Sequence, residues 1–414
     1  MSPMALSTLP LSIKPEDFGP SPRPFRIEVQ PELILEARQK ASCYRPSVDL
    51  QYETSEDWSD GVPATRVAAL AKYWAESYDW NKVEERMNSS FHHFTITIPV
   101  VSDYKESLPL HFVHERSNDE SAIPLLLLHG WPSTHLEWEK VIKPLTSGEN
   151  GKSYHIVAPD LPGFGFSPAP TRPGLGPREM GFAMDALMAK LGYGRYGIVS
   201  TDLGWWVAMW MVHDVGSNVI GHFSDFFLPF PTQSDVEKLE KKQLSEPEAA
   251  YTRSMLAWGD GHTAYSTVQT KKPLALAAAM ADSPVGYAAW LWHLMHTVCD
   301  DYDYSHEEII TATLMLWIQG PYGNLRTYKE FFQPEVMNFP KTSIPTGVSQ
   351  WLYPNGPYPE FRQFSKAPRE WLERTANIVY LSTHNFGGHF PAVSVPGPWV
   401  KETQNFFETL GKLV

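Results

Sequence analysis

The chain has 414 residues, of which 34 are basic and 47 acidic, giving a formal net charge of −13. An acidic balance of this size argues against nucleic acid or an anionic membrane surface as a partner. Two cysteines, Cys43 and Cys299, make no disulfide framework and fit a reducing compartment, while fifteen Trp and thirteen Met point to a wide, aromatic-lined interior or pocket.

Residues 1–12 lack a basic stretch followed by a long apolar run, and no window reaches the apolar length of a membrane span, so the expectation is a soluble, cytoplasmic protein. Residues 1–22 are rich in Pro and Ser and read as a loose arm. A helical pattern follows over 31–41, 66–76 and 80–87, where Trp58, Trp74 and Trp80 would pack. Residues 1–90 are expected to wrap the main domain, being too short for a comfortable core of their own. Strand-like runs at 91–100 and 108–114 lead to Ile123-Pro-Leu-Leu-Leu-Leu128, continuous in apolar character as a strand buried on both faces should be. That run ends in His129-Gly130-Trp131-Pro132, before a helix expected around 137–145. A strand at 154–160, a helix at 178–191 and strands at 196–199 and 219–227 continue the alternation. The pattern predicts an α/β fold with a mostly parallel sheet.

The turn between the strand at 196–199 and the apolar helix after it reads Ser200-Thr201-Asp202-Leu203-Gly204. A small residue two before and a glycine two after Asp202 is the spacing of a nucleophile elbow, where the backbone is too crowded for bulk at either flank. The lifted group here is a carboxylate, which attacks strained or activated carbon and forms an ester that must then be hydrolysed. The competing reading is an ordinary helix N-cap, where Asp is also favoured.

Residues 231–335 break the alternation with Lys- and Glu-rich and Ala-rich helical sequence and no clear strand, as a helical cap inserted in the core would. The core therefore divides into residues 91–230 and 336–414. A strand at 343–352, a helix at 368–375 and a last strand at 377–382 follow, and then Gly387-Gly388-His389. Elbow, helical insert, late strand and glycine-flanked histidine, in that order, form the plan of an α/β-hydrolase fold. His389 is the expected base, and His384 is its rival five residues earlier. His293 and His296, close to Asp300 and Asp301, are spaced to admit a metal, although a helix face of mixed polarity accounts for them equally well. Gly163-Phe164-Gly165 lacks the third glycine of a dinucleotide fingerprint.

On these motifs the chain resembles the microsomal-type epoxide hydrolases, in their soluble fungal form, over almost its whole length. The likeness rests on Trp58, Tyr73-Trp74 and Tyr78-Asp79-Trp80, on the His129–Pro132 and 160–167 motifs, and on Gly387-Gly388-His389-Phe390. It implies that Tyr265 and Tyr328, in the cap, donate to the opening epoxide oxygen. It also implies that the backbone N–H groups of Trp131 and Leu203 form the oxyanion hole. A small lipophilic epoxide and water are the expected partners, with no metal or organic cofactor and with the oligomeric state open, a homodimer included. In place of the family's usual Gly-Gly-Asp-Trp-Gly, the elbow carries Ser200, Thr201 and Leu203. Leu203 counts against a haloalkane dehalogenase, which commonly has Trp there. The family's acid for the histidine usually follows 345–347, and Glu360 is the only carboxylate between Gly347 and Pro368. Asp225, after the post-elbow strand, is the second candidate, at a position where some relatives place the acid. The expected activity is hydrolysis to a vicinal diol through an Asp202 ester. An epoxide-opening cyclase of secondary metabolism, or a non-catalytic ligand-binding protein on the same scaffold, stands as the alternative.

Overall fold

A computed structural model describes residues 17–50, 58–149 and 151–411; most of the expected N-terminal arm lies outside them. Among the described residues there are nine strands: β1 (Arg23–Phe25), β2 (His93–Ile98), β3 (Leu108–Glu115), β4 (Ile123–Leu128), β5 (Tyr154–Pro159), β6 (Tyr196–Ser200), β7 (Val219–Ser224), β8 (Pro345–Leu352) and β9 (Asn377–Gly387). They form one sheet in the order β1-β2-β3-β5-β4-β6-β7-β8-β9. The first three strands are antiparallel, as is the β3–β5 pair, and every pairing from β5 to β9 is parallel.

The leucine run of β4 sits between β5 and β6, where a strand has no free edge. Strand period places Leu126 and Leu128 on one face and Leu125 and Leu127 on the other, and all four are buried in two different clusters. One face is covered by the helices Pro177–Lys190 and Asp202–Asp214, the other by Ile142–Ser147 and Pro396–Leu410. Eight helices from Gln233–Glu240 to Pro334–Met337 run between β7 and β8 with no strand among them.

Two local expectations are corrected. The helix expected at 137–145 is a 3-10 turn, His135–Trp138, followed by a separate helix, Ile142–Ser147. Pro144 cannot supply an N–H to a helix arriving from residue 137, so the helix restarts and takes the proline into its first turn. β9 continues past 382 to Gly387 because β8 runs alongside it, pairing Trp351 with His384 and, across a bulge, Leu352 with Gly387. β1, which carries no strand signal in the sequence, lies just past the Pro- and Ser-rich arm as an edge strand on β2, a place where proline is tolerated.

The N-terminal helices Pro31–Ser42 and Ala64–Glu76 pack on the inserted helices Pro284–Thr297 and His306–Trp317. Trp58 stacks on His296, and the hydroxyls of Tyr78 and Thr311 share a buried hydrogen bond of 3.0 Å.

Candidate active site

β6 ends at Ser200, and Thr201 is the N-cap of the following helix, so Asp202 is its first helical residue and does not cap it. Asp202 has φ 41°, a left-handed conformation that costs a residue with a side chain and that recurs where a turn must present a functional group. The crowding behind the small flanks is explicit. A Cβ on Gly204 would overlap the carbonyl of Leu128, and a Cβ on Gly130 would overlap the Asp202 carboxylate itself.

That close approach lets the Trp131 N–H donate to Asp202 Oδ1 at 2.8 Å. The other oxygen, Oδ2, lies 3.5 Å from His389 Nε2. Two glycines with positive φ, Gly387 and Gly388, turn the chain after β9, and the His389 N–H donates to the carbonyl of Val298. The His389 ring stands edge-on to Phe226. His384 lies elsewhere: it is part of β9, stacks on Trp351 and faces Glu402 at 3.3 Å.

Asp202, Leu203, Trp131, Tyr265, Tyr328, Asp225 and His389 all line one cavity, whose remaining wall is mostly aromatic, including Trp206, Phe226, Phe230, Trp258 and Phe332. Tyr265 comes from helix Ala264–Lys271 and Tyr328 from Tyr322–Phe331. The Trp131 ring stacks on Tyr265 and meets Tyr328 edge-on, each at 5.6 Å. Burial raises both phenols above their ordinary range, and the Asp202 charge raises them further, so both keep their protons. Behind them the Trp131 indole N–H and the Tyr287 hydroxyl both donate to Asn324 Oδ1.

The two candidate acids part company. Glu360 is not on the cavity wall; it sits in the short helix Pro359–Arg362, half exposed, with its carboxylate 3.8 Å from His262. Asp225 lies just past β7, where the Trp399 indole N–H donates to its Oδ2 at 2.6 Å. Its Oδ1 is buried with no hydrogen-bond partner in the protein. Burial pushes the Asp225 carboxyl up to about 6, against the lowering effects of the Thr201 hydroxyl, Trp399 and the nearby His389. The sequence count from residue 347 could not see this, because the 353–367 loop spends its one carboxylate on a cap histidine.

The metal-type spacing of His293, His296, Asp300 and Asp301 does not gather a site. His296 lies against Trp58, and the two Asp300 oxygens accept the N–H groups of Asn355 and Gly387. A different trio comes together, His111, His135 and Asp160, wholly buried. Asp160 accepts from both imidazoles and from the backbone N–H groups of His135 and Phe166, and against the raising effect of burial the two imidazoles hold its carboxyl well below the usual range. Those bonds make it a brace for the 160–167 turn. Sequence reasoning also passed over Glu137, buried beside the elbow, where burial and the charges of Asp225 and Asp202 hold its carboxyl well above the usual range against the lowering effects of Ser133 and the Gly130 backbone.

Residues 22–138 match the epoxide hydrolase N-terminus model, and residues 123–219 match the alpha/beta hydrolase fold model. A protein of Stigmatella aurantiaca assigned as an epoxide hydrolase is 30% identical over 400 residues, covering 94% of this chain and 85% of that one. Among solved structures, the juvenile hormone epoxide hydrolase of Bombyx mori superposes with a TM-score of 0.78 at 24% identity, covering 95% of each chain. The Aspergillus niger epoxide hydrolase gives 0.76 at 22% identity, covering 97% of this chain and 99% of that one. At those identities the two structures speak for the fold. No helix among the described residues is long and apolar enough to cross a membrane.

Proposed function

Since the chain belongs to the epoxide hydrolase family and has the α/β-hydrolase fold, we propose that it opens a lipophilic epoxide to a vicinal diol through an ester on Asp202. The carrying observation is the carboxylate of Asp202, lifted at φ 41°, with Oδ1 on the Trp131 N–H and Oδ2 beside His389.

Oδ2 attacks an oxirane carbon held in line by the aromatic wall, and the C–O bond breaks. Negative charge develops on the epoxide oxygen, where Tyr265 and Tyr328 donate hydrogen bonds and one of them gives up its proton. Oδ1 becomes the ester carbonyl oxygen, already resting on the Trp131 N–H. His389 then takes a proton from water as the water oxygen bonds to the acyl carbon. The resulting oxyanion is held by the N–H of Trp131 and by that of Leu203, one of the helix's first N–H groups with no intrahelical acceptor. Collapse of this intermediate breaks the acyl–oxygen bond, and the His389 imidazolium gives its proton to the departing diol oxygen. The second water proton, left on the regenerated Asp202 carboxyl, returns to the tyrosinate, which restores the carboxylate and both phenols. Asp225 is the acid that orients His389 and steadies its imidazolium; its free buried Oδ1 and the effect of His389 on it support that role over Glu360.

A single turnover in heavy-oxygen water tests the ester. The label is expected in Asp202 and not in the first diol formed. Label entering that diol directly would mean that water attacks the epoxide itself. A cyclic ether as product would move the assignment to the cyclase.

A further inference from the structure

β6 and β7 run parallel, and their register sets Ser200 beside Ser224. One residue further on, Thr201 and Asp225 are therefore neighbours at the ends of the two strands. Thr201 is still extended, at φ −137° and ψ 161°, so its side chain shares the face of Val199. Asp225 shares the face of Phe223, and Val199 and Phe223 both belong to the cluster that holds Trp399. Thr201 is buried, and although it stands at the N-cap its hydroxyl caps nothing.

The hydroxyl thus has a carboxylate beside it and no competing duty. Neither Thr201 Oγ1 nor Asp225 Oδ1, both buried, makes a fully aligned hydrogen bond among the described residues. The two are nevertheless close enough for the hydroxyl to lower the pKa of the Asp225 carboxyl, ahead of the Trp399 indole in doing so. Buried polar atoms left unaligned are rare, and here one is a donor and the other an acceptor. A slight adjustment of either side chain joins them. Asp202, Glu137, Tyr353 and His389 are the titratable groups around this pair. Burial keeps the proton on Glu137 and on Tyr353, so His389 alone among them can bring positive charge. Burial also disfavours the Asp225 anion, and a donor on Oδ1 offsets that.

We propose that Thr201 is a positioning residue for the acid, its hydroxyl donating to Asp225 Oδ1 throughout ester hydrolysis. This rests on the reading of Asp225 as the acid. A carboxylate oxygen keeps a second lone pair, so the hydroxyl fixes the direction of Oδ1 without displacing the imidazolium from it. Thr201 exchanges no proton with substrate or water. A serine hydroxyl reaches the same oxygen, whereas valine, of nearly the same shape, turns a methyl group on it.

The test separates the two half-reactions. Excess enzyme is alkylated with styrene oxide and jumped to a series of pH values, and the Asp202 adduct is followed by intact mass after acid quench. In Thr201→Val, adduct formation should stay within about twofold of the parent while adduct hydrolysis slows roughly fivefold or more at neutral pH. The acid limb of hydrolysis should move up by roughly half a pH unit or more, since the Asp225 anion has lost a donor. Thr201→Ser should restore both rate and limb. Thr201→Ala, which adds no bulk at the elbow should valine fail to fold, must show the same split and shift. Added to Asp225→Asn, Thr201→Val should slow hydrolysis no further. Equal slowing of both half-reactions, slower hydrolysis with an unmoved limb, or no recovery with serine overturns the proposal. If Asp225→Asn hydrolyses its adduct at the parent rate, the acid reading has failed and the role of Thr201 falls with it. Adduct that accumulates in Asp225→Asn, with hydrolysis at the parent rate and limb in Thr201→Val, sinks this proposal alone.

Discussion

Asp225 carries two consequences that a surface carboxylate cannot. Its carboxyl is shifted from the ordinary 3.8 to about 6 by burial. A folded value above the unfolded one means the protonated form favours the native state. That contribution is complete below about pH 4 and is lost as pH rises through about 6, a change of about 3 kcal/mol at most. Asp225→Asn removes the titration while leaving an oxygen for the Trp399 indole. Its thermal stability relative to the parent should therefore climb between pH 4 and pH 7 and level off above; a difference that does not vary with pH would show that the shift is absent. Activity should move the opposite way. With the acid gone, the imidazolium that forms during ester hydrolysis loses its partner, and the Asp202 adduct should accumulate, while Glu360→Gln, whose carboxylate faces His262 off the cavity wall, should turn over normally. Accumulation in the Glu360 variant instead would return the acid to the late loop. Residue spacing alone ranked these two carboxylates the other way, because it could count positions after Gly347 but not see that the loop folds Glu360 toward the cap. Burial and an orphan oxygen are properties of three dimensions, and no local motif announces them.

Elements explain why other parts were legible. The elbow is written into sequence because its constraint is steric and local: Gly204 lies against β4, Gly130 lies against Asp202, and no larger residue fits at either place. The central strands are legible through composition, since a strand covered on both faces is apolar throughout. Short elements without such a signature, β1 and the 3-10 turn holding Glu137, are not. The two cap helices that deliver Tyr265 and Tyr328 share neither a strand nor a turn motif with the elbow. What joins them is the Trp131 ring, stacked on one phenol and edge-on to the other, with its indole N–H tied to Asn324 on the same helix as Tyr328. Because both phenols serve one developing alkoxide, each can partly stand in for the other. Tyr265→Phe or Tyr328→Phe should slow ester formation by roughly ten- to a hundredfold, and the double variant by far more than either alone. Stopped-flow quenching of tryptophan emission on alkylation would read this. A double variant that alkylates at the parent rate would return both tyrosines to packing.

At the scale of the molecule, the N-terminal segment is bound chiefly to the inserted helices, through Trp58 on His296, Tyr78 on Thr311, Lys40 on Asp282 and Arg86 on Glu307. Sequence reading expected it to wrap the core, since a short helical segment must bury its apolar faces somewhere; which partner it chose depends on contacts more than two hundred residues apart. The consequence is mechanical. The cap carries both tyrosines and, through the carbonyl of Val298, anchors the N–H of His389, so whatever steadies the cap steadies both half-reactions. Trp74, 1% exposed on helix Ala64–Glu76, tests this from outside the catalytic cavity. Trp74→Ala should cost about 3–5 kcal/mol through the lost burial and the cavity left behind. The loss should be uneven. Hydrogen exchange should quicken first in Pro284–Thr297 and His306–Trp317, which pack on that helix, while the amides of β4, β5 and β6 keep their protection until global unfolding. Ester formation should slow along with the cap's loosening, and an epoxide-derived ligand that bridges cap and core should restore part of both. Equal loss of protection in the central strands would mean instead that the N-terminal segment stabilises the whole sheet and the cap has no separate dependence on it.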